Sequence, residues 1–413
     1  MPTPFALAPT PEETISRRSA AYLSTYVWPE WYAALTRFQE KSLGKAIGQL
    51  VDTFIPYLFL WYLMIRTIKL GYSYFLTLAL ALPAAAFLAR IFIFFHDCVH
   101  GSFFASDRAN TIVGYVCGIL VFTPLEDWRF SHFLHHATFA NLAARGYGDI
   151  SLMTVDEYKN ASCRRRIGYR IYRNTFILFI LGPVFHFFFN QRFPTWNTGR
   201  AEHRSVIVTN LGIAALVLAA TWTIGWKTYL LIQVPVLWLA GMLGIWLFYV
   251  QHQFQGVYWA RTDEWDPLRA AFEGSSFYRL PAVLRWFTGS IGYHFVHHLQ
   301  YGIPNYQLKA CYEAVSELHR KRPLTIRKSL ACLRLKLWDE DLQQLLDSED
   351  LDQLVLLTFI DAVRMFPLDR RQDRACLRLR QSTQRGPRSR EPRHASAAGQ
   401  LPAHLGPPSP TQE

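Results

Sequence analysis

Four long apolar runs set the class of fold open to this 413-residue chain; they cover 51–65, 72–95, 206–222 and 229–250. A helix rises about 1.5 Å per residue, so roughly 20 apolar residues cross the ~30 Å of bilayer hydrocarbon. Only a helix or a closed barrel satisfies its own backbone in that medium. Short turns join the first run to the second and the third to the fourth. The reading is an all-α integral membrane protein, four transmembrane helices in two hairpins with interfacial helices and a cytoplasmic helical cap carrying a metal site. Arg90 lies near the end of its run, where a long side chain can snorkel to water. Two further stretches, 111–123 and 176–189, are too short to cross, and the second contains Gly182, Pro183 and His186.

The metal site is read from the histidines. Eight of the fourteen fall in three five-residue windows: His96 and His100 in HDCVH, His132, His135 and His136 in HFLHH, and His294, His297 and His298 in HFVHH. Residues i, i+3 and i+4 share one face of a helix, so each window can direct its imidazoles at one point. Imidazole suits zinc, copper, iron and nickel, but one catalytic zinc takes only three protein ligands, so eight imply two metals. The six cysteines form no CxxC pair and there is no Glu-x-x-His repeat. An iron–sulfur cluster, a structural zinc and a carboxylate-bridged di-iron bundle are thereby disfavoured. A pair of redox irons that activates dioxygen remains. Asp97 is placed to accept the second N–H of a ligand imidazole, and Cys98 reads as a small buried filler.

Ligands of one centre must lie on one side of the bilayer, so 111–123 should not cross. Arg164, Arg165, Arg166, Arg170 and Arg173 precede the 176–189 stretch and Arg192, Arg200 and Arg204 follow it. Under the positive-inside rule both flanks are cytoplasmic, although Arg66 and Lys69 in the first turn oppose that orientation. His252, in FYVQHQF, leaves the fourth run at the depth where His96 leaves the second, which makes it a ninth ligand. His186 and His203 stand outside any cluster and read as ordinary residues.

Outside the runs the material changes. Residues 1–50, with Trp28, Trp31 and Tyr32, suggest an interfacial arm with no signal peptide. The main domain is read as 51–363, its cap as 251–363. Within the cap Leu308, Cys311, Tyr312 and Val315 follow a helical period, and Asp339 is a candidate N-cap for DLQQLLDSEDLDQLVLL. Residues 364–413 hold ten arginines, no lysine and four acids, so half of the formal charge of +12 sits in a tail read as disordered. With membrane spans present, the remaining charge points to inner-leaflet lipid and an acidic electron donor rather than nucleic acid. Arg129 and Arg261 are candidates to meet a lipid phosphate.

HDCVHGSFF, WRFSHFLHHA, FYVQHQF and YHFVHHLQYGIPNYQL, in that order, closely resemble the membrane-bound fatty acid desaturases over about 57–318. The likeness is greatest to bacterial and plastid acyl-lipid desaturases acting toward the methyl end, of the delta-12 kind. It implies a bacterial inner-membrane protein with both termini and the active site cytoplasmic. It also implies two irons, dioxygen, electrons from a ferredoxin or small haem cytochrome, and a lipid-linked acyl chain as substrate. The ligands it implies are His96, His100, His132, His135, His136, His252, His294, His297 and His298. His294 replaces the glutamine of front-end desaturases, and Phe248 stands where the acyl-CoA delta-9 type has asparagine. No HPGG haem motif occurs, and Gln255 replaces the acid of the frequent QHQFE.

Such chemistry suits the residues. An unactivated C–H bond gives side-chain acids and bases nothing to act on, so the metal supplies the oxidant and the protein supplies an apolar tunnel. Phe94, Phe95, Phe103, Phe104, Trp128 and Trp259 are candidates to line its approaches. A hydroxylase, acetylenase or ketolase on the same scaffold is the nearest alternative. A metal-handling membrane protein is a distant one, because the spans carry almost no ionisable residues along a path.

Overall fold

The computed structural model describes residues 25–146, 148–196 and 198–347, all within one unit, Met1–Val355. The Arg-rich tail and most of the first 25 residues lie outside the described residues. The chain is mostly helical: α1 Leu43–Lys69, α2 Tyr74–Val99, α3 Asp107–Leu120, α4 Leu125–Thr138, α5 Cys163–Tyr172, α6 Arg200–Ile224, α7 Trp226–His252, α8 His294–Leu299 and α9 Asn305–Ala314. Four of these, α1, α2, α6 and α7, are long and apolar enough to cross a membrane; two bent pairs raise the number to six if each is one span. The bends are 99° between α3 and α4 and 63° between α5 and the segment Ile177–Arg192. Each long helix extends beyond the C-terminal end of its apolar run, although α2 starts two residues inside its own. Helix α1 starts at Leu43, where the Ser42 hydroxyl accepts the Lys45 N–H, so the arm ends earlier than the apolar pattern indicates.

Two tight turns close the hairpins. Gly225 alone separates α6 from α7 with φ +89, and Gly71 follows α1 with φ +72, values a side chain would strain. Helix α2 is central and packs against α1, α3 and α7, while α6 lies against α4 and α7. The approach of α3 to α2 depends on Gly114 and Gly118, a small-xxx-small pair. A Cβ on the first would meet Leu125 at 2.8 Å and Cys98 at 3.3 Å, and one on the second would meet Phe95 at 3.1 Å.

Arg90 does not snorkel. Its side chain is 2% exposed inside α2, donating to the Thr53 hydroxyl at 3.0 Å and to the Trp286 carbonyl, with Asp52 at 3.9 Å. Its guanidinium also lies 4.0 Å from the centre of a Trp286 ring. Protein partners replace water here because α1 and the helix Ala282–Phe287 close over this part of α2.

The arm packs on the protein. Leu35 is fully buried in the 3-10 helix Glu30–Gln39, Trp28 stacks on Tyr32 at 4.1 Å, and the Tyr32 hydroxyl donates to the Leu299 carbonyl at 2.8 Å. Around the far side of the metal site run short strands: β1 Met153–Thr154, β2 Phe277–Arg279, β3 Pro323–Thr325, β4 Leu337–Asp339 and β5 Gln344–Leu346. Strands β2 and β3 pair in parallel, as do β1 and β4, while β4 and β5 form an antiparallel hairpin.

That hairpin corrects the sequence reading of Asp339 as a helix cap. The Asp339 carboxylate does accept backbone N–H groups, from Asp341 and Leu342 at 2.9 Å each, but it closes a turn rather than starting a helix. Burial of Leu337 and Trp338 against the body of the protein favours the strand. The rest of that run, from 348, lies outside the described residues.

Replacing Arg90 by Leu should cost about 2–4 kcal/mol, because the Thr53 hydroxyl and Trp286 carbonyl then lose their buried donor. Thermal unfolding of the purified protein in detergent measures this as a lowered midpoint; an unchanged midpoint would count against the buried network.

Candidate metal centre

Helix ends converge on one point. His96 lies in the last turn of α2 and His100 caps it, His252 ends α7, and His132, His135 and His136 occupy the second half of α4. His294, His297 and His298 fall on α8, whose entry is set by left-handed Ser290 (φ +59) and the 3-10 turn Ile291–Tyr293. All nine expected histidines meet there, while His186 pairs with Gln191 at 3.0 Å outside the cluster.

They divide into two groups. Ligand nitrogens of His96, His100, His132, His136 and His297 lie within 4.8 Å of one another, and so do those of His135, His252 and His298. His294 joins the second group, with its Nε2 3.0 Å from the Nε2 of both His252 and His298. Further Nε2 to Nε2 distances are 3.2 Å for His135 and His252, 3.2 Å for His132 and His136, and 3.1 Å for His136 and His297.

Hydrogen bonds alone do not satisfy these contacts. Each neutral imidazole carries one N–H and one lone pair, yet the His252 Nε2 touches two other Nε2 atoms. The His96 Nε2 and both nitrogens of His100 are buried with no hydrogen-bond partner. Two nitrogens each about 2.1 Å from a cation and at right angles would be ~3.0 Å apart, which is the spacing seen. The donor set therefore fits two cations, one held by five imidazoles and one by four. Burial, reinforced by the neighbouring imidazoles, holds His132, His136, His294, His297 and His298 well below the usual histidine pKa. The rings are thus kept neutral, the form that binds metal.

The outer contacts come partly from expected residues and partly from one that was not. Asp97 accepts from the His96 Nδ1 at 3.1 Å, and its other oxygen accepts from the Asn305 backbone and side-chain nitrogens at 2.7 and 2.8 Å. Asp149 stands 2.8 Å from the His135 Nδ1. It is 14 positions from that histidine in the loop ARGYGD, where the only sequence signal is an acid beside turn glycines.

A cavity of about 510 Å³ opens beside the cluster, bounded by His96, His132 and His294 and walled by α2, α4, α7 and the segment around 178–190. Of the six aromatic candidates only Trp128 lines it, stacked on His132 at 4.2 Å. Phe94, Phe95, Phe103, Phe104 and Trp259 are buried packing residues. Arg129 donates to the Val99 carbonyl and pairs with Glu126, and Arg261 pairs with Glu340 at 2.7 Å, so both have protein partners rather than standing free for a phosphate. Gln255 is exposed on the surface.

Comparison with known proteins adds an independent line. The family model described as fatty acid desaturase matches residues 72–329, which include all nine histidines. A protein of Bacillus subtilis (strain 168) named fatty acid desaturase is 47% identical over 307 residues, 74% of this chain and 87% of that protein. The chloroplastic omega-6 fatty acid desaturase of Arabidopsis thaliana is 26% identical over 59% of this chain, and the match spans 54% of its own length. An sn-1 acyl-lipid omega-3 desaturase (ferredoxin) of Synechocystis is 27% identical over 55% of this chain and 64% of that protein.

The lowered histidine pKa values set a direction for stability with pH. In the unfolded chain these imidazoles take up protons near 6.5, but the folded state resists. Stability is therefore complete above about pH 6.5 and is lost as the pH falls below it. Protein stripped of metal with a chelator should show a thermal midpoint that falls between about pH 7 and pH 5, and saturating metal should raise the midpoint at neutral pH. A midpoint flat across that range would contradict the burial of neutral rings.

Proposed function

The chain belongs to the fatty acid desaturase family, whose members are oxidoreductases, and from that premise we propose that it introduces a cis double bond into a lipid-linked acyl chain, toward the methyl end, of the delta-12 type. The observation that carries this reading is the convergence of nine imidazoles at one end of an apolar cavity. Two irons, one with His96, His100, His132, His136 and His297 and one with His135, His252, His294 and His298, are the cofactors the reading assigns.

When bound, the irons supply the oxidant: dioxygen, two electrons and two protons are consumed, two hydrogens leave adjacent methylenes, and two waters form. The chain's own residues do the rest. Phe92, Ile245, Leu237 and Phe248 offer the substrate an apolar wall and exclude water. Gly244 leaves open space beside the wall, while Gly241 lets Pro183 and Phe187 pack close against α7. Asp97 holds a proton on the His96 Nδ1, which leaves the Nε2 lone pair free to face the metal.

In this reading both hairpins enter from the cytoplasm and turn near the opposite face. Exposed Tyr72, Tyr74, Trp222 and Trp226 around the two turns suit an aromatic belt there. Leu211, Leu218 and Phe59, exposed on the outer helices, suit lipid contact. The bent pair α3–α4 stays on the metal side, so all ligands share one face, and the cap and the N-terminal arm are cytoplasmic. The protein is then an inner-membrane enzyme of a bacterium. Electrons come from a ferredoxin or small haem protein, since a ferredoxin is named for the Synechocystis relative.

Expression in a host rich in monounsaturated lipid, followed by mass spectrometry of its fatty acids, tests the proposal. New diene is the expected product, absent from His136→Ala; hydroxylated or ketone product would assign the chain to a different oxidation. Gly244 lines the cavity, and a Cβ placed on it would meet no heavy atom within 4 Å. Gly244→Leu, whose side chain would fill that open space, should therefore lower product at least tenfold with iron content unchanged, and unaltered product would show that the acyl chain runs elsewhere.

A further inference from the structure

Among the nine imidazoles, two have a carboxylate on Nδ1, one in each group: His96 with Asp97 and His135 with Asp149. The Nδ1 atoms of His100, His136 and His294 are buried without a partner, and His252 meets the Gly274 backbone rather than a carboxylate. The two carboxylates are held differently. Asp97 is locked by both donors of Asn305 and does not border the cavity. The Asp149 side chain is 6% exposed, and among the described residues its second oxygen has only the Gly146 N–H near it, at 3.5 Å. Its loop turns through Gly146 (φ +116) and Gly148 (φ +60). Gly148 lies flat on His135, since a Cβ there would sit 3.4 Å from the His135 Cβ. Gly148, Asp149 and Ile150 all form cavity wall.

We propose that Asp149 is the positioning residue of the four-histidine half of the centre, and that through it the filling of the cavity is felt at His135, which does not itself border the cavity as His96, His132 and His294 do. This rests on the di-iron reading of the histidine cluster. A carboxylate on Nδ1 fixes the tautomer, orients the ring and raises the basicity of Nε2, and losing one weakens metal binding by about 10–100-fold. Because Asp149 is at once cavity wall and partner of His135, an acyl chain lying against the Gly148–Ile150 loop shifts the ring it holds. Asp97 has no such exposure to the substrate. The coupling is reciprocal, so metal in the four-histidine group also tightens acyl-chain binding.

Full-length protein, Asp149→Asn, Asp149→Glu and Asp97→Asn, loaded with ⁵⁷Fe and reconstituted in lipid nanodiscs, provide the test. After a chelator challenge the wild type should keep two irons per chain. Asp149→Asn should keep one, losing the other at least tenfold more readily, and Asp149→Glu should fall between them. Mössbauer spectra taken before the challenge, with and without substrate lipid, should show a substrate-induced change that is kept in Asp97→Asn and at least halved in Asp149→Asn. Two irons held normally by Asp149→Asn, or the same substrate-induced change in its spectrum, would overturn the proposal. A wild type that binds no iron pair would instead overturn the function from which it starts. Should Asp149→Asn not fold, Asp149→Glu with wild-type retention and an unaltered substrate response would overturn it equally.

Discussion

Nine imidazoles, most of them buried and with five pairs of ring nitrogens only 3.0–3.2 Å apart, are unfavourable unless a cation sits among them, and the surrounding architecture holds them in that state. Each buried nitrogen without a partner costs about 1–3 kcal/mol, so the cluster without metal is a store of unmet coordination. Helices provide the rigidity to sustain it. Helices α2 and α7 stop at one level, α4 and α8 bring their histidines to that level, and Asp97 ties the first cluster to the start of α9 through Asn305.

The same helices make the cavity. A C–H bond in a methylene chain has no charge or hydrogen-bonding group by which to be recognised, so selectivity has to come from shape and distance. The wall is accordingly mostly apolar and contains four glycines, Gly148, Gly182, Gly241 and Gly244, with His96, His132 and His294 at the metal end. Close packing elsewhere also relies on small residues, with Gly114 and Gly118 admitting α3 to α2 and so fixing where α4 begins. Buried arginines serve as ties in this framework. Arg173 donates to the Ser151 carbonyl, to Gln253 beside His252, and to the Leu335 carbonyl, joining α5, the end of α7 and the cap.

Much of the site was legible in the sequence because its ligands obey local rules. Spacing of i, i+3 and i+4 on a helix is decided within five residues, and Asp97 is adjacent in sequence to the histidine it serves. His252 had no cluster of its own, yet its place at the end of an apolar run matched that of His96. Asp149 was not legible, since its contact with His135 depends on how a glycine-rich loop folds back. Arg90 and Asp339 were misplaced for a related reason: the sequence shows a residue's type, but not which neighbours arrive to cover it.

By itself the sequence determined the membrane class, the four long helices and the nine histidines that come together, since hydrophobic length and helical periodicity are properties of short contiguous segments. Only the tertiary structure decided that the imidazoles divide into five and four, that the cavity borders His96, His132 and His294, and that a distant aspartate holds His135. Those facts depend on the relative placement of segments far apart in the chain, which packing between helices sets and no local pattern encodes.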